Sequence, residues 1–295
     1  GEGNMNYVLR IKTATRSFII KQSRAYVEKY PHIPAPPDRV LTEGEFYTIT
    51  SKDEVIRNYS PALLKVNREN NIIQIEDLGI ASDYTYLYSL KDKISSTEIL
   101  SLTNYLSHLH NNFSKKTPDK TLSNEKLRVL NHEHIFLYPF LENNGFNLDN
   151  IQPGLEDVSM KYKQDSKLKL NAKILGEKYL ANGLHLLHGD FYPGSWLHTA
   201  SGIKIIDPEF CFYGPAEFDI AVMLAHLKIT DHQNELVQQA ITSYHQPKGF
   251  NIDLMNRFIG IEMLRRIIGL AQLPVKNSLK EKIKLLEEAS ILLTN

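Results

Sequence analysis

Residues 184–219 read LHLLHGDFYPGSWLHTASGIKIIDPEFCFYGPAEFD, a stretch that sets ionisable groups and tight turns between two apolar runs. The first run (Leu184, Leu186, Leu187) stops at His188-Gly189-Asp190. Pro193 and Gly194 mark a turn, Trp196-Leu197 and residues 203–206 read as strands about Ser201-Gly202, and the second run stops at Asp207-Pro208-Glu209. Strand, turn and strand bring Asp190 to one end of a hairpin and Asp207 with Glu209 to the other, so three carboxylates are expected at one mouth. Carboxylates gathered in this way repel unless a cation sits among them. Phosphoryl transfer needs such a set: one carboxylate receives the proton of an attacking hydroxyl, and others hold Mg²⁺ against a triphosphate. Each residue also has a plainer use. Asp207-Pro208 is an ordinary turn opening, and His188 suits a histidine that orients the loop by bonding to backbone beneath it. Agreement between this segment and the chain upstream favours the reading as a site.

Elements able to position these groups are legible on either side. Residues 7–11 alternate in polarity, and residues 17–21 follow across a polar turn, which predicts a hairpin entered through a loop containing Gly1 and Gly3. Glycine lets backbone approach phosphates, and Lys21, ending the second strand, can offer them a positive charge. Residues 32–37, HIPAPP, form a short rigid connector between two structured pieces. Beyond it, Asp38 suits the N-cap of a helix that carries Glu43 and Glu45. Residues 72–75 read as a strand ending at Glu76-Asp77-Leu78-Gly79.

From residue 95 the chain turns helical, with Ser95 and Glu98 spaced as a capping box and Ile99, Leu102, Leu106, Leu109 and Phe113 at helical spacing. His108 and His110 near its end read as solvated or capping residues. His132 and His134 lack the i,i+4 spacing of a zinc helix, and no zinc is expected. Residues 258–273 are apolar around most of a helix yet contain Arg265 and Arg266. A buried guanidinium calls for a carboxylate or a ligand, and Glu262 offers Arg266 an ordinary helix pair. Adjacent helical residues point about 100° apart, so the two arginines need not serve one site.

A chain of 295 residues accommodates one large domain or two ordinary ones, and 42% apolar residues support a sizeable core. Lys plus Arg equals Asp plus Glu at 34 each, so no net field favours nucleic acid or an anionic membrane, and neither is an expected partner. Cys211 is the one cysteine, which excludes an internal disulfide framework, and no run reaches the roughly 18 apolar residues of a membrane helix. With no secretory signal in view, a reducing cytoplasm is the expected location.

The pattern H-G-D-x-x-x-x-S followed by D-P-E resembles the catalytic and metal loops of the aminoglycoside phosphotransferase and choline kinase group. The resemblance implies an α+β, two-lobe protein-kinase-like fold, with a small β-rich lobe over residues 1–78 binding nucleotide and a larger helical lobe over residues 79–295 holding the catalytic groups and the acceptor. It implies Asp190 as catalytic base, Asp207 as the principal Mg²⁺ ligand, and Glu209 reaching a second metal or its water. Ser195 stands where most of that group carry a metal-binding Asn. Gly1, Gly3, Asn4 and Lys21 would meet the phosphates of ATP; Glu43, with Glu45 as alternate, would pair with Lys21; and Glu76, Asp77 and Leu78 would form the hinge at the adenine edge.

A narrower similarity, to the 5-methylthioribose kinase family, rests on GEGNMNYV at residues 1–8, IIKQ around Lys21, Ser195, DPEF from Asp207, FYGP from Phe212 and the twin arginine. It implies acceptor contacts from Arg265 and Arg266. Phe191, Tyr192 and Pro193 depart from it, standing where that family usually has Leu-His-Thr. The expected function is transfer of the ATP γ-phosphoryl group to a small-molecule hydroxyl, using ATP and Mg²⁺, with 5-methylthioribose or a similar sugar as acceptor. Aminoglycosides, choline or ethanolamine, and homoserine are alternative acceptors on the same fold. A non-catalytic nucleotide-binding protein is the alternative of another class, and a homodimer is the assembly to look for.

Overall fold

The computed structural model describes residues 5–90, 92–232 and 234–295. Gly1, Gly3 and Asn4, expected at the phosphates, lie outside the described residues. The two N-terminal segments form β1 (Tyr7–Lys12) and β2 (Ser17–Gln22), paired antiparallel with Val8 opposite Lys21. The Thr13 hydroxyl closes their turn by accepting from the Thr15 and Arg16 amides. The proline-rich stretch is more than a connector, because β3 (Tyr26–Val27) and β4 (Tyr30–Pro34) form a two-stranded ribbon with Tyr26 opposite Pro34. At the edge of so small a ribbon the missing proline N–H is tolerated.

Next come α1 (Arg39–Thr50) and α2 (Glu54–Tyr59), then β5 (Leu63–Asn67) and β6 (Ile72–Glu76), which complete a sheet of order β1-β2-β6-β5. Asp38 occupies the N-cap of α1, but its side chain makes no capping bond; its carbonyl accepts from the Leu41 amide instead. Val40, Phe46 and Tyr47 of α1 and Ile73 and Ile75 of β6 are buried together in the core. Gly44 permits the close approach, since a Cβ there would press on the Ile73 methyl at 3.1 Å.

β7 (Ala81–Asp83) leaves that sheet and joins another. The remainder is mostly helical: α3 (Ser96–Asn112), α4 (Glu125–His132), α5 (Leu155–Lys163) and α6 (Ser166–Leu180), followed by short strands β8 (His185–Leu187), β9 (Trp196–Thr199), β10 (Gly202–Ile205) and β11 (Phe212–Gly214), then α7 (Glu217–Ile229), α8 (Asn234–Ser243), α9 (Ile252–Ile268) and α10 (Leu279–Thr294). The Ser95–Glu98 capping box opens α3. β9 and β10 form the expected hairpin, flanked by β7, whereas β8 stands apart from it and pairs with β11.

Two helices fix the floor of this part. α7 and α9 are buried on nearly all faces, and each fully buried Leu, Ile or Phe contributes about 1.5–3 kcal/mol relative to exposure. Gly260 lets α9 close on α10, where a side chain would meet the Ala289 carbonyl. The apolar run does not stay helical throughout. α9 stops at Ile268, and the Gln272 amide caps it by donating to the Ile267 and Gly269 carbonyls.

Candidate active site

Lys21 occupies β2, an inner strand of the sheet, and its ammonium reaches α1. Nζ lies 2.7 and 2.9 Å from the two carboxylate oxygens of Glu43. Glu45, the alternate partner, is exposed. The same ammonium also donates to Asp207, so one buried cation joins the sheet, α1 and the turn after β10. Burial works against its charge, but Asp207 and Glu43 outweigh burial and hold Lys21 protonated. Asp207 sits at φ +64, a left-handed conformation uncommon outside glycine, and opens the 3-10 turn Pro208–Phe210. Its side chain remains 42% exposed, which keeps a carboxylate oxygen open to solvent.

The turn holding Asp190 is fixed from beneath. The first turn of α7 supplies Asp219, whose carboxylate accepts the His188 amide at 2.6 Å and the Gly189 amide at 2.9 Å. Gly189 is required twice over, by φ +85 and because a Cβ would strike the Phe210 carbonyl in the turn after Asp207. His188 ties the two turns together: Nε2 donates to the Ile206 carbonyl at 3.0 Å while Nδ1 accepts the Asp190 amide at 3.3 Å. Burial keeps the imidazole neutral, against the pull of Asp219.

His110 departs from expectation. It is buried, with Nε2 3.2 Å from Asp219 and Nδ1 2.6 Å from the Tyr244 hydroxyl, so the residue read as solvated or capping supports the turn that holds Asp190. Its position on the inner face of α3 decides this. His108, two residues earlier, is only half-buried and faces Asp53.

Asp190 faces the twin arginine. Arg266 Nη2 is 3.7 Å and Arg265 Nη2 is 4.0 Å from Asp190 Oδ1. Both guanidinium groups are gripped at Nε by one carboxylate: Arg266 Nε donates to Glu262 Oε1 at 2.7 Å, and Arg265 Nε lies 2.8 Å from Oε2 in an ion pair whose alignment falls short of a hydrogen bond. The two side chains therefore converge although adjacent on a helix, because each is long enough to wrap back to the same acid. The Tyr192 ring stacks on Arg266, 5.1 Å from guanidinium carbon to centroid. Glu262 is buried, yet Arg265 and Arg266 overcome burial and hold it well below the usual carboxylate range. For Asp190 burial wins and pushes the carboxyl up to about 6, with Arg266 and Arg265 opposing. Its side chain is still 26% exposed, open to a reacting group.

Glu209 turns inward. Its Oε2 accepts from Asn6 at 2.9 Å and lies 3.4 Å from Arg39 Nε; burial pushes it up to about 8, against Lys21 and Arg39. Arg39 also donates to the carbonyls of Arg24, Pro36, Tyr26 and Met5, so the start of β1 and the turn after Asp207 share one anchor. Ser195 is buried and donates to the Asp190 carbonyl at 2.9 Å, which leaves its oxygen lone pairs as acceptors. Asp207, Glu209, Ser195 and the unpartnered buried Oδ1 of Asn6 are hard oxygen donors, the type that suits Mg²⁺.

At the expected hinge, Glu76 accepts the Ala62 amide at 3.1 Å, and Asp77 accepts the Gly79 amide at 3.0 Å while pairing with Arg10 at 3.0 Å. These acids brace the end of β6 around Leu78. The sequence assigns no role in the site to Arg39, His110 or Asp219, nor to Asn6 and Tyr192 although both lie in segments that the family resemblance uses. The one usable signal is the acidic first turn of α7.

The family model described as "Phosphotransferase enzyme family" matches residues 152–253. The chain is 27% identical to methylthioribose kinase of Bacillus cereus strain AH820, over 92% of this chain and 78% of that one. It is 25% identical to the enzyme of strain G9842, over 96% and 81%. Choline kinase LicA from Streptococcus pneumoniae superposes with TM-score 0.54 at 12% identity, covering 99% of this chain and 90% of that one. Amicoumacin kinase hAmiN, solved with AMP-PNP and Ca²⁺, superposes with TM-score 0.55 at 13% identity, over 99% and 86%.

Fold, site and matches define a small-molecule kinase of two-lobe, protein-kinase-like architecture, which uses ATP and a divalent metal to phosphorylate a hydroxyl. The chain is similar to methylthioribose kinases over more than nine-tenths of its length, and residues 152–253 match the phosphotransferase family model. Among the described residues, no helix is long and apolar enough to cross a membrane.

Proposed function

We propose that the acceptor is a neutral, hydroxyl-rich sugar of the 5-methylthioribose type, and that Asp190 takes the proton of the attacking hydroxyl. The observation that carries this is the convergence of Arg265 and Arg266 on Asp190. Each presents its terminal nitrogens in a fixed fork that suits several hydroxyl oxygens at once. A cationic acceptor, whether aminoglycoside, choline or an amino alcohol, would meet two guanidinium groups whose shared carboxylates, Glu262 and Asp190, are already engaged by them. The relatives matched over nine-tenths of the chain are named methylthioribose kinase, which supports the same choice.

The other roles follow from the donor set. Asp207, with Ser195 behind it, is assigned to Mg²⁺, and Glu209 to a second metal or its water. Bound metal would neutralise charge on the phosphates of ATP. Lys21, held by Glu43, offers those phosphates a fixed positive charge, and Leu78 marks the boundary between the lobes, because β6 belongs to the N-terminal sheet and β7 to the hairpin sheet. One buried cysteine and a demand for ATP fit the cytoplasm.

The test is ATP consumption with 5-methylthioribose, an aminoglycoside, choline, ethanolamine and homoserine supplied separately. The sugar is expected to give the highest kcat/KM. A higher kcat/KM with any cationic acceptor overturns the assignment.

A further inference from the structure

Behind the twin arginine lies a buried chain of polar groups that the roles above leave unused. On α7, His226 places Nε2 3.2 Å from Glu262 Oε1 and Nδ1 2.8 Å from the Tyr88 hydroxyl. His226, Tyr88 and Glu262 are each at most 2% exposed. The proton positions follow from chemistry. Glu262 is ionised between two guanidinium groups and can only accept, so Nε2 carries the hydrogen, Nδ1 accepts, and Tyr88 donates. Burial keeps this imidazole neutral, with a pKa lowered to about 4.

Glu262 Oε1 is thus shared by two donors, Arg266 Nε and His226 Nε2, and Oε2 faces Arg265 Nε. That carboxylate decides where both guanidinium forks point, and His226 helps to fix it by sharing Oε1 with Arg266. Tyr88 in turn fixes the imidazole. Tyr192 packs against both His226, at 5.5 Å between ring centroids, and Arg266, so the aromatic wall beside Asp190 leans on the same imidazole.

We propose that His226, held by Tyr88, is a positioning residue for the phosphoryl acceptor: it orients Glu262 and thereby the two arginines that face Asp190. The inference rests on the reading of Arg265 and Arg266 as acceptor contacts. A histidine that merely satisfies the core would affect melting temperature alone, whereas a positioning residue moves the acceptor's kinetic constants and leaves those of ATP in place.

The experiment compares His226→Phe, His226→Gln, Tyr88→Phe and Arg266→Lys, with 5-methylthioribose as acceptor probe and ATP-analogue binding as the check on folding. His226→Phe removes the donor to Glu262 and is expected to lower kcat/KM for the acceptor by about 10- to 100-fold, the scale of a misplaced positioning group. The KM for ATP stays within about twofold, as expected when acceptor contacts alone are lost. His226→Gln keeps an N–H where Nε2 stood and restores most of the loss, and Tyr88→Phe gives a smaller change of the same kind. Should His226→Phe fail to bind the ATP analogue, the Tyr88→Phe and His226→Gln pair carries the comparison. Unchanged acceptor kinetics in folded His226→Phe, or in Tyr88→Phe where that pair decides, overturns the inference, as does an equal loss for ATP. If Arg266→Lys changes acceptor kinetics and His226→Phe does not, this inference alone falls. If Arg266→Lys changes nothing, the acceptor reading of the arginines falls with it.

Discussion

Arg266 Nη2 lies 3.7 Å from Asp190 Oδ1, so a helix near the end of the chain sets the electrostatics of the turn assigned to proton transfer. The charge lowers the carboxyl's pKa, burial raises it, and burial prevails to give about 6. Asp190 is thereby kept near the range where a carboxylate is both ionised and basic at neutral pH.

This balance predicts the pH profile. Asp190 must be ionised to accept a proton, so kcat/KM for the acceptor should rise with pH through about 6 and level off above it. Replacing Arg266 by Gln removes a charge that favours the ionised form, and the rising limb should move to higher pH by about one unit or more. A limb that stays in place in the variant would detach Arg266 from the base.

Asp190→Asn should leave ATP-analogue binding nearly intact while lowering turnover by about 10²–10⁴-fold, the usual contribution of a general base. Calorimetric titration and steady-state rates on one preparation check both halves. Wild-type turnover in the variant would remove Asp190 from the mechanism.

Asp207→Ala should abolish the Mg²⁺ dependence of ATP binding, because the open carboxylate at φ +64 is lost and Lys21 loses one of its two anions. Glu209→Ala should weaken that dependence less but cost more stability, since it leaves the Arg39 guanidinium and the Asn6 amide without their carboxylate partner. Leaving buried polar groups without one of their partners costs roughly 1–3 kcal/mol. Binding titrations over a Mg²⁺ series, with melting curves, separate the two effects; an unaltered Mg²⁺ series for Asp207→Ala refutes its role.

Asp219→Ala should destabilise the protein by several kcal/mol, at about 1.5–3 kcal/mol for each hydrogen bond to a charged group. The amides of His188 and Gly189 and the imidazole of His110 all lose their acceptor. Asp219→Asn keeps one carbonyl oxygen and should lose less. Denaturant unfolding of both variants measures the difference, and equal stability of the two would count against the carboxylate as the support of the turn.

Local sequence determined the elements whose causes are local. Turn residues at Ser201-Gly202 specify the β9–β10 hairpin, Ser95 and Glu98 cap α3, and an alternating segment followed across a polar turn by an apolar run draws β1 and β2. The same reasoning brings Asp190 and Asp207 to neighbouring turns and places two arginines in a helix too apolar to leave them unpartnered. Tertiary structure alone decided which groups meet. Glu43 rather than Glu45 reaches Lys21 because two residues on a helix face nearly opposite ways, and only packing against the sheet says which way is inward. Similarly, Arg39 and Glu209, His110 and Asp219, and His226 and Glu262 are distant in the chain. They pair because burial forces each charge or polar atom to find a partner on a surface that exists only once the helices have closed.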